Sequence, residues 1–117
     1  MKKDLENRLV KFSVMTLKLS RLADKNYFNN YLINQLLRSS ASAALNYGEA
    51  QSAESKRDFI HKVGIVLKEL RESHVNLKIL EESKIITDSD EMNIALDECH
   101  QLVSIFYTTI KTAREKK

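Results

Sequence analysis

The chain of 117 residues contains no proline and only two glycines, Gly48 and Gly64. Because turns are usually built from proline and glycine, a fold with many turns, such as a β-sandwich or an α/β fold, is disfavoured. The scarcity of both residues instead favours a few long helices joined by short loops. A chain of this length corresponds to one domain, 1–117, that can bury a core of its own.

Cysteine and long apolar runs are also scarce. The single cysteine, Cys99, excludes an internal disulfide and a zinc site built from several cysteines. No apolar run approaches the roughly 20 residues that a membrane-spanning helix needs, and the charged start of the sequence has no apolar signal core. These features predict a cytoplasmic protein with no membrane partner.

Charge is unevenly distributed, although the net charge is only +3. Basic residues dominate the segments 1–25 and 111–117, whereas the segment 81–98 is mostly acidic. Such asymmetry is typical of nucleic-acid binding, of charge pairing between subunits, or of an ordinary solvated helical surface. The sequence leaves these three interpretations open.

Apolar residues recur every three or four positions in four segments, which predicts four helices. Their predicted bounds are about 5–24, 28–50, 54–82 and 88–114. Because short loops force consecutive helices to run antiparallel, we expect an all-α fold, an up-down-up-down four-helix bundle.

The same spacing predicts which side chains form the core. It places Leu22 in the core of the first helix, Phe28 in that of the second and His74 in that of the third. The run of small residues at 39–44 and the mid-helix Gly64 are expected to let neighbouring helices approach closely. A flexible kink is the alternative explanation for Gly64.

Further apolar residues lie off the predicted inner faces. A monomeric bundle needs one apolar stripe per helix, and several apolar residues on a shared outer face are typical of subunit association. We therefore expect a homo-oligomer; the alternative is a wide core stripe with some apolar surface residues. The candidate interface residues are Val10, Val14, Leu17, Ile65, Val75, Ile79, Ile94 and Ile105.

Catalytic and metal-binding patterns are not found in the sequence. A di-iron bundle needs two Glu-x-x-His motifs, and the nearest match is a single Asp97-x-x-His100. Cys99 gains no base from His100, which points about 100° away around a helix. Asn46 is expected either to bond a neighbouring backbone and fix helix register, or to be partly exposed. We expect no enzyme activity, catalytic residue, metal or cofactor.

Four basic residues near the start of the chain fall on roughly one outer face of the first predicted helix. Repeated around an oligomer, this face would form a positive band that holds phosphates with little sequence preference. No aromatic residue is clearly placed among them for base stacking. The candidate nucleic-acid-binding residues are Lys11, Lys18, Arg21 and Lys25.

The stretch 35–80 carries a family resemblance. The matching segments read QLLRS, NYGEA, AESKRDFIHK and IVLKELRES. Together they resemble a bacterial four-helix-bundle family named after proteins encoded in intervening sequences of 23S ribosomal RNA genes. That family often has an aromatic residue just before the position of Leu77, where this chain has Asn76.

The resemblance implies antiparallel four-helix subunits that often assemble into a homopentameric ring, with no known enzymatic activity. A more distant relative is the accessory protein of diversity-generating retroelements, a basic pentamer that binds a reverse transcriptase and nucleic acid. Two functions therefore stay open for this chain. It binds RNA or another nucleic acid through a basic face, or it is a structural or protein-recruiting module, for example an accessory subunit of a reverse transcriptase.

Overall fold

The computed structural model describes residues 2–87 and 89–116, with side chains for 4–87 and 89–116. Within these residues it is all-α, as predicted, with four helices and no strand. The helices are α1 (Lys2–Ser20), α2 (Tyr27–Gln51), α3 (Lys56–Glu82) and α4 (Asp90–Glu115). Each helix packs against two others, α1 against α2 and α4, and α3 against α2 and α4. The described parts of α1 and α3 lie diagonally opposite and do not pack together.

A polar side chain caps the start of three helices. The side-chain oxygens of Asn26, Ser55 and Ser89 each accept a hydrogen bond from a backbone N–H three residues further on, at 2.9–3.1 Å. Each cap satisfies a backbone donor that the first helical turn leaves free. These caps determine where α2, α3 and α4 begin.

The first helix ends earlier than the predicted bound of 24. After Ser20, the backbone N–H groups of Arg21, Leu22 and Ala23 donate to carbonyls three residues back, at 3.0–3.3 Å. This three-residue bonding tightens the last turn and ends the α-helix. As a result Ala23 is buried but Leu22 is exposed, and the prediction that Leu22 belongs to the core is wrong.

The core is one cluster of apolar side chains from all four helices. Two aromatic rings pack within it, where Tyr47 meets Phe106 edge to face with centroids 5.2 Å apart. Full burial of a large apolar side chain stabilises the fold by about 1.5–3 kcal/mol. The largest fully buried side chains are Phe12, Phe106, Leu9, Leu19, Leu36, Leu70, Leu77, Leu80, Ile86, Met92, Leu102 and Val63.

Small hydroxyl side chains connect helices inside the core. Thr16 Oγ1 of α1 lies 2.8 Å from Ser40 Oγ of α2, and Ser39 Oγ lies 2.7 Å from Ser73 Oγ of α3. All four side chains are fully buried. Ser39 and Ser40, which are neighbours in α2, thus bond to different helices. Because both side chains are small, α2 can approach both helices, as the run of small residues predicted.

Ion pairs between α2 and α3 show the direction of these two helices. Arg38 Nη2 donates to Glu72 Oε1 at 2.9 Å, and Lys62 Nζ donates to Glu49 Oε1 at 2.7 Å. Residue numbers therefore rise along α2 while they fall along α3, so the two helices run antiparallel. Arg38 also contacts the buried carboxylate of Glu69 at 3.4 Å.

The structure corrects two predictions for α3. A Cβ added at Gly64 would meet no other heavy atom within 4 Å, so close packing does not require a glycine there. His74 is half-buried rather than in the core, because its neighbour Ser73 points inward instead.

None of the four helices, as far as they are described, has the length and hydropathy for a membrane crossing.

Candidate nucleic-acid interface

Three aromatic side chains at the start of α2 are largely exposed. The exposed fractions are 79% for Tyr27, 75% for Phe28 and 58% for Tyr31. The rings of Tyr27 and Phe28 meet edge to face, with centroids 5.5 Å apart. The prediction that Phe28 belongs to the core is wrong, because the buried face of α2 begins only at Ile33. The first turn of α2 therefore extends beyond the core and carries its rings in solvent.

The loop before these rings is held by its own hydrogen bonds. Asn29 Nδ2 donates to the carbonyl of Asp24, and the N–H of Asn30 donates to the carbonyl of Asn26, both at 2.9 Å. Two exposed cations, Arg21 and Lys25, lie in this loop. We call this surface the aromatic–basic end; it consists of Arg21, Leu22, Lys25, Tyr27, Phe28 and Tyr31.

The four predicted nucleic-acid-binding residues divide into two pairs. Lys11 and Lys18 lie on α1 and share one side, because seven residues make about two helical turns. Arg21 and Lys25 lie beyond the end of the helix, so the prediction that all four share a face of the first helix is wrong. All four are exposed, and none forms an ion pair with a described residue.

This arrangement combines the two elements of single-strand recognition. Exposed aromatic faces can stack on bases, and unpaired cations can neutralise phosphates. From Lys11 to the end of α1 the cations extend over roughly 14 Å at 1.5 Å per residue. Hydrophobic spacing does not reveal the aromatic part, because it places Phe28 in the core. The one sequence signal is that Tyr27 and Phe28 directly follow a polar, basic loop, although Phe28 has the spacing of a core residue.

Other cations are neutralised within the chain. Arg8 of α1 donates from Nε and Nη2 to the two carboxylate oxygens of Glu98 in α4, at 3.0 and 2.7 Å. This hydrogen-bonded carboxylate raises the pKa of Arg8. Arg38 and Lys62 are paired across α2 and α3. The unpaired state of the cations at the aromatic–basic end therefore distinguishes them from these three.

The side chains considered for catalysis have other roles. Cys99 Sγ donates to the carbonyl of Leu70 at 3.2 Å, and burial, with a smaller contribution from Glu98, raises the pKa of this thiol to about 12. Asp97 accepts a hydrogen bond from Gln101 Nε2 at 2.8 Å. In the described part of the chain, no three His, Cys, Asp or Glu residues are grouped to hold a metal ion.

Asn46 bonds mainly to its own helix. Its Nδ2 donates to the carbonyl of Ser42 at 2.9 Å and contacts Ser42 Oγ at 3.1 Å. Ser42 Oγ in turn donates to Glu69 Oε2 of α3 at 3.1 Å. Asn46 therefore reaches the neighbouring helix only through Ser42 and not by a bond to its backbone.

The eight candidate interface residues do not all lie on one face. Those of α1 form an exposed stripe at four- and three-residue steps, but those of α3 lie on the diagonally opposite helix. The exposed members are Val10, Val14, Leu17, Val75, Ile79 and Ile94, and the half-buried members are Ile65 and Ile105.

Fold and surface together define an all-α, four-helix protein with an exposed basic and aromatic surface. The sequence model described as 23S rRNA-intervening sequence protein matches residues 4–108, and the chain belongs to this family. This confirms the family resemblance of the stretch 35–80. A comparison with curated proteins gave no match.

A solved structure supports the same fold. The chain is similar to a protein of unknown function from the S23 ribosomal protein family of Bacteroides thetaiotaomicron VPI-5482, with a TM-score of 0.82 and 26% sequence identity. The similarity covers 92% of this chain and 98% of the other.

Proposed function

We propose that this protein is a non-catalytic, homo-oligomeric helical bundle that binds single-stranded RNA through the aromatic–basic end. The observation that carries the proposal is the exposure of three aromatic rings after a loop with two cations that have no ion pair in the described part of the chain. Base stacking on such rings contributes about 1–3 kcal/mol per base and tolerates any sequence. Lys11 and Lys18 would continue the phosphate contacts along α1.

The oligomer in this proposal is a ring of up-down-up-down bundles, a homopentamer by the family resemblance. The exposed stripe of Val10, Val14 and Leu17 supports subunit association, because apolar patches on a shared face usually mark interfaces. A ring would present several copies of the aromatic–basic end. One RNA strand that contacts two or more copies would bind more tightly than a single site allows.

The non-catalytic part of the proposal rests on the chemistry of the reactive side chains. The one thiol is buried, and the raised pKa of Cys99 keeps it protonated at neutral pH. The carboxylate of Glu49 is paired with Lys62, and those of Glu69 and Glu72 with Arg38.

A protein-recruiting module, such as an accessory subunit of a reverse transcriptase, is the second candidate. The exposure of Leu22 as well as of Tyr27 and Phe28 favours it, since aromatic and apolar side chains also anchor protein interfaces. A protein partner would not produce the salt dependence that counterion release gives to RNA binding.

Fluorescence anisotropy with a labelled single-stranded RNA, at low and at physiological salt, tests the RNA proposal. We expect Tyr27→Ala with Phe28→Ala to weaken binding by at least about fivefold, since stacking contributes 1–3 kcal/mol per base. Replacing Lys11, Lys18, Arg21 and Lys25 by glutamine should flatten the slope of log affinity against log salt by about 0.7 per lost phosphate contact.

Leu45→Ala is the matched control, because Leu45 is an exposed apolar residue of α2 far from its first turn. It should leave RNA affinity unchanged. RNA binding that is insensitive to the aromatic pair would contradict the proposal, and so would no binding at low salt. Light scattering on the purified protein tests the oligomer, and a monomer would contradict that part alone.

A further inference from the structure

A groove between α3 and α4 lies at the other end of the bundle from the aromatic–basic end. Its volume is about 500 Å³, within the range of about 300–1,000 Å³ that is usual for small-molecule sites. Gly64, Leu67 and Ile110 line it, and the last two are buried, so that its floor is apolar. The two helices that form its walls pack against each other.

The rim of the groove is basic and aromatic. Arg71, Lys111 and Arg114 line it, are exposed, and form no ion pair with a described residue. The ring of Tyr107 also lines it and is 54% exposed. Among the described residues that line the groove, Glu115 is the one carboxylate, so this part of the rim is cationic.

Gly64 contributes to the open floor of the groove. A glycine in the middle of a helix is less stable there than alanine, and packing within the chain does not explain it, since an added Cβ would meet no atom within 4 Å. The absent side chain leaves space beside Leu67, in the groove itself. A molecule bound in the groove would explain why position 64 is glycine.

We propose that this groove binds a nucleotide, with the base against Tyr107 and the apolar floor and the phosphate between Arg71, Lys111 and Arg114. A planar ring explains the aromatic and apolar lining, and a phosphate explains the three unpaired cations. The nucleotide comes either from a free mononucleotide or from one unit of an RNA strand. The inference does not depend on RNA binding at the aromatic–basic end, because the two surfaces share no residue.

Isothermal titration calorimetry of the full chain with AMP, adenosine and inorganic phosphate tests this inference. We expect AMP to bind at least about tenfold more tightly than adenosine or phosphate, because only AMP satisfies both halves of the groove. Arg71→Ala and Arg114→Ala should each weaken AMP binding by about five- to tenfold, as expected for one lost charge-assisted hydrogen bond. Glu115→Gln should strengthen AMP binding, because it removes a repulsive charge.

Gly64→Ala and Gly48→Ala form a matched pair. An added Cβ meets no atom within 4 Å at either position, so both variants should raise the unfolding midpoint. Only Gly64→Ala places a methyl group in the groove, and it alone should weaken AMP binding, by about threefold or more. This difference separates the groove from a general effect on stability.

A short oligoadenylate, titrated into the Tyr27→Ala, Phe28→Ala variant so that the aromatic–basic end does not contribute, distinguishes the two sources of the nucleotide. If oligoadenylate binds no more tightly than AMP, the ligand is a free nucleotide. If oligoadenylate binds more tightly than AMP and the additional affinity is lost in Arg71→Ala, the ligand is an RNA strand. Either result supports the groove. The inference is overturned if neither AMP nor oligoadenylate binding depends on Arg71 and Gly64.

Discussion

The seam between α2 and α3 and the aromatic–basic end are built in opposite ways. In the seam, Arg38 pairs with Glu72 and Glu69, and Ser39 Oγ lies 2.7 Å from Ser73 Oγ. Along the whole described chain, every fully buried side-chain nitrogen and oxygen has a hydrogen-bond partner. At the aromatic–basic end, by contrast, the cations form no ion pair with any residue that the structure describes, and the rings lie in solvent.

This difference separates stability from binding. A buried polar group stabilises the fold only with its partner in place, so changes in the seam affect the folded state itself. An exposed ring or cation adds little to folding, since substitutions at such sites usually change stability by no more than about 0.5 kcal/mol. Its interaction energy is therefore still available for a ligand.

The largest expected effect is a difference in stability between a variant of the core residue Leu70 and a variant of Phe28 at the aromatic–basic end. Leu70 is fully buried, and Leu70→Ala should lower the free energy of unfolding by about 2–5 kcal/mol through lost contacts and a cavity. Phe28→Ala removes a larger side chain but should change stability by less than about 0.5 kcal/mol, because Phe28 is exposed. Urea denaturation followed by circular dichroism measures both. Equal losses would mean that the first turn of α2 packs into the core.

A smaller effect is expected for the charges. Arg38→Ala leaves Ser42 as the one described side chain that donates a hydrogen bond to the buried carboxylate of Glu69. It should lower the free energy of unfolding by about 1–3 kcal/mol. The matched Arg21→Ala should cost less than about 0.5 kcal/mol, because Arg21 has no ion pair among the described residues. The same denaturation experiment distinguishes them. A stable Arg38→Ala variant would show that Ser42 and water satisfy the carboxylate.

The periodicity of apolar residues was sufficient to predict the four helices, because each helix buries one face. It located their starts to within a few residues, where Asn26, Ser55 and Ser89 provide caps. It failed at the end of the first helix. Whether a terminal turn tightens, as at Leu22, depends on loop geometry that hydrophobic spacing does not encode.

The candidate sites were less predictable than the helices. The four cations could be identified by charge, but Phe28 occupies a position whose spacing is apolar and inward, so only tertiary structure shows that no core lies beneath it. Similarly, the mid-helix position of Gly64 predicts close packing, although no atom of another helix lies within 4 Å of a Cβ added there. The α3–α4 groove brings together residues such as Arg71 and Lys111 that are distant in sequence.

The smallest expected effect concerns His74 of α3, which is half-buried and whose ring lies 6.4 Å from that of His100 in α4. Burial, and then the charges of Lys78 and His100, lower the pKa of His74 below its usual value of 6.5. Because the folded state resists this protonation, the contribution of His74 to stability is full above pH 6.5 and is lost as the pH falls through the lowered folded pKa. NMR titration should give a midpoint for His74 below 6.5, and Lys78→Gln should move that midpoint upward. His74→Gln should make the protein slightly less sensitive to acid. A titration midpoint of His74 at or above 6.5 would mean that the imidazole is exposed to solvent, as the rings of the aromatic–basic end are.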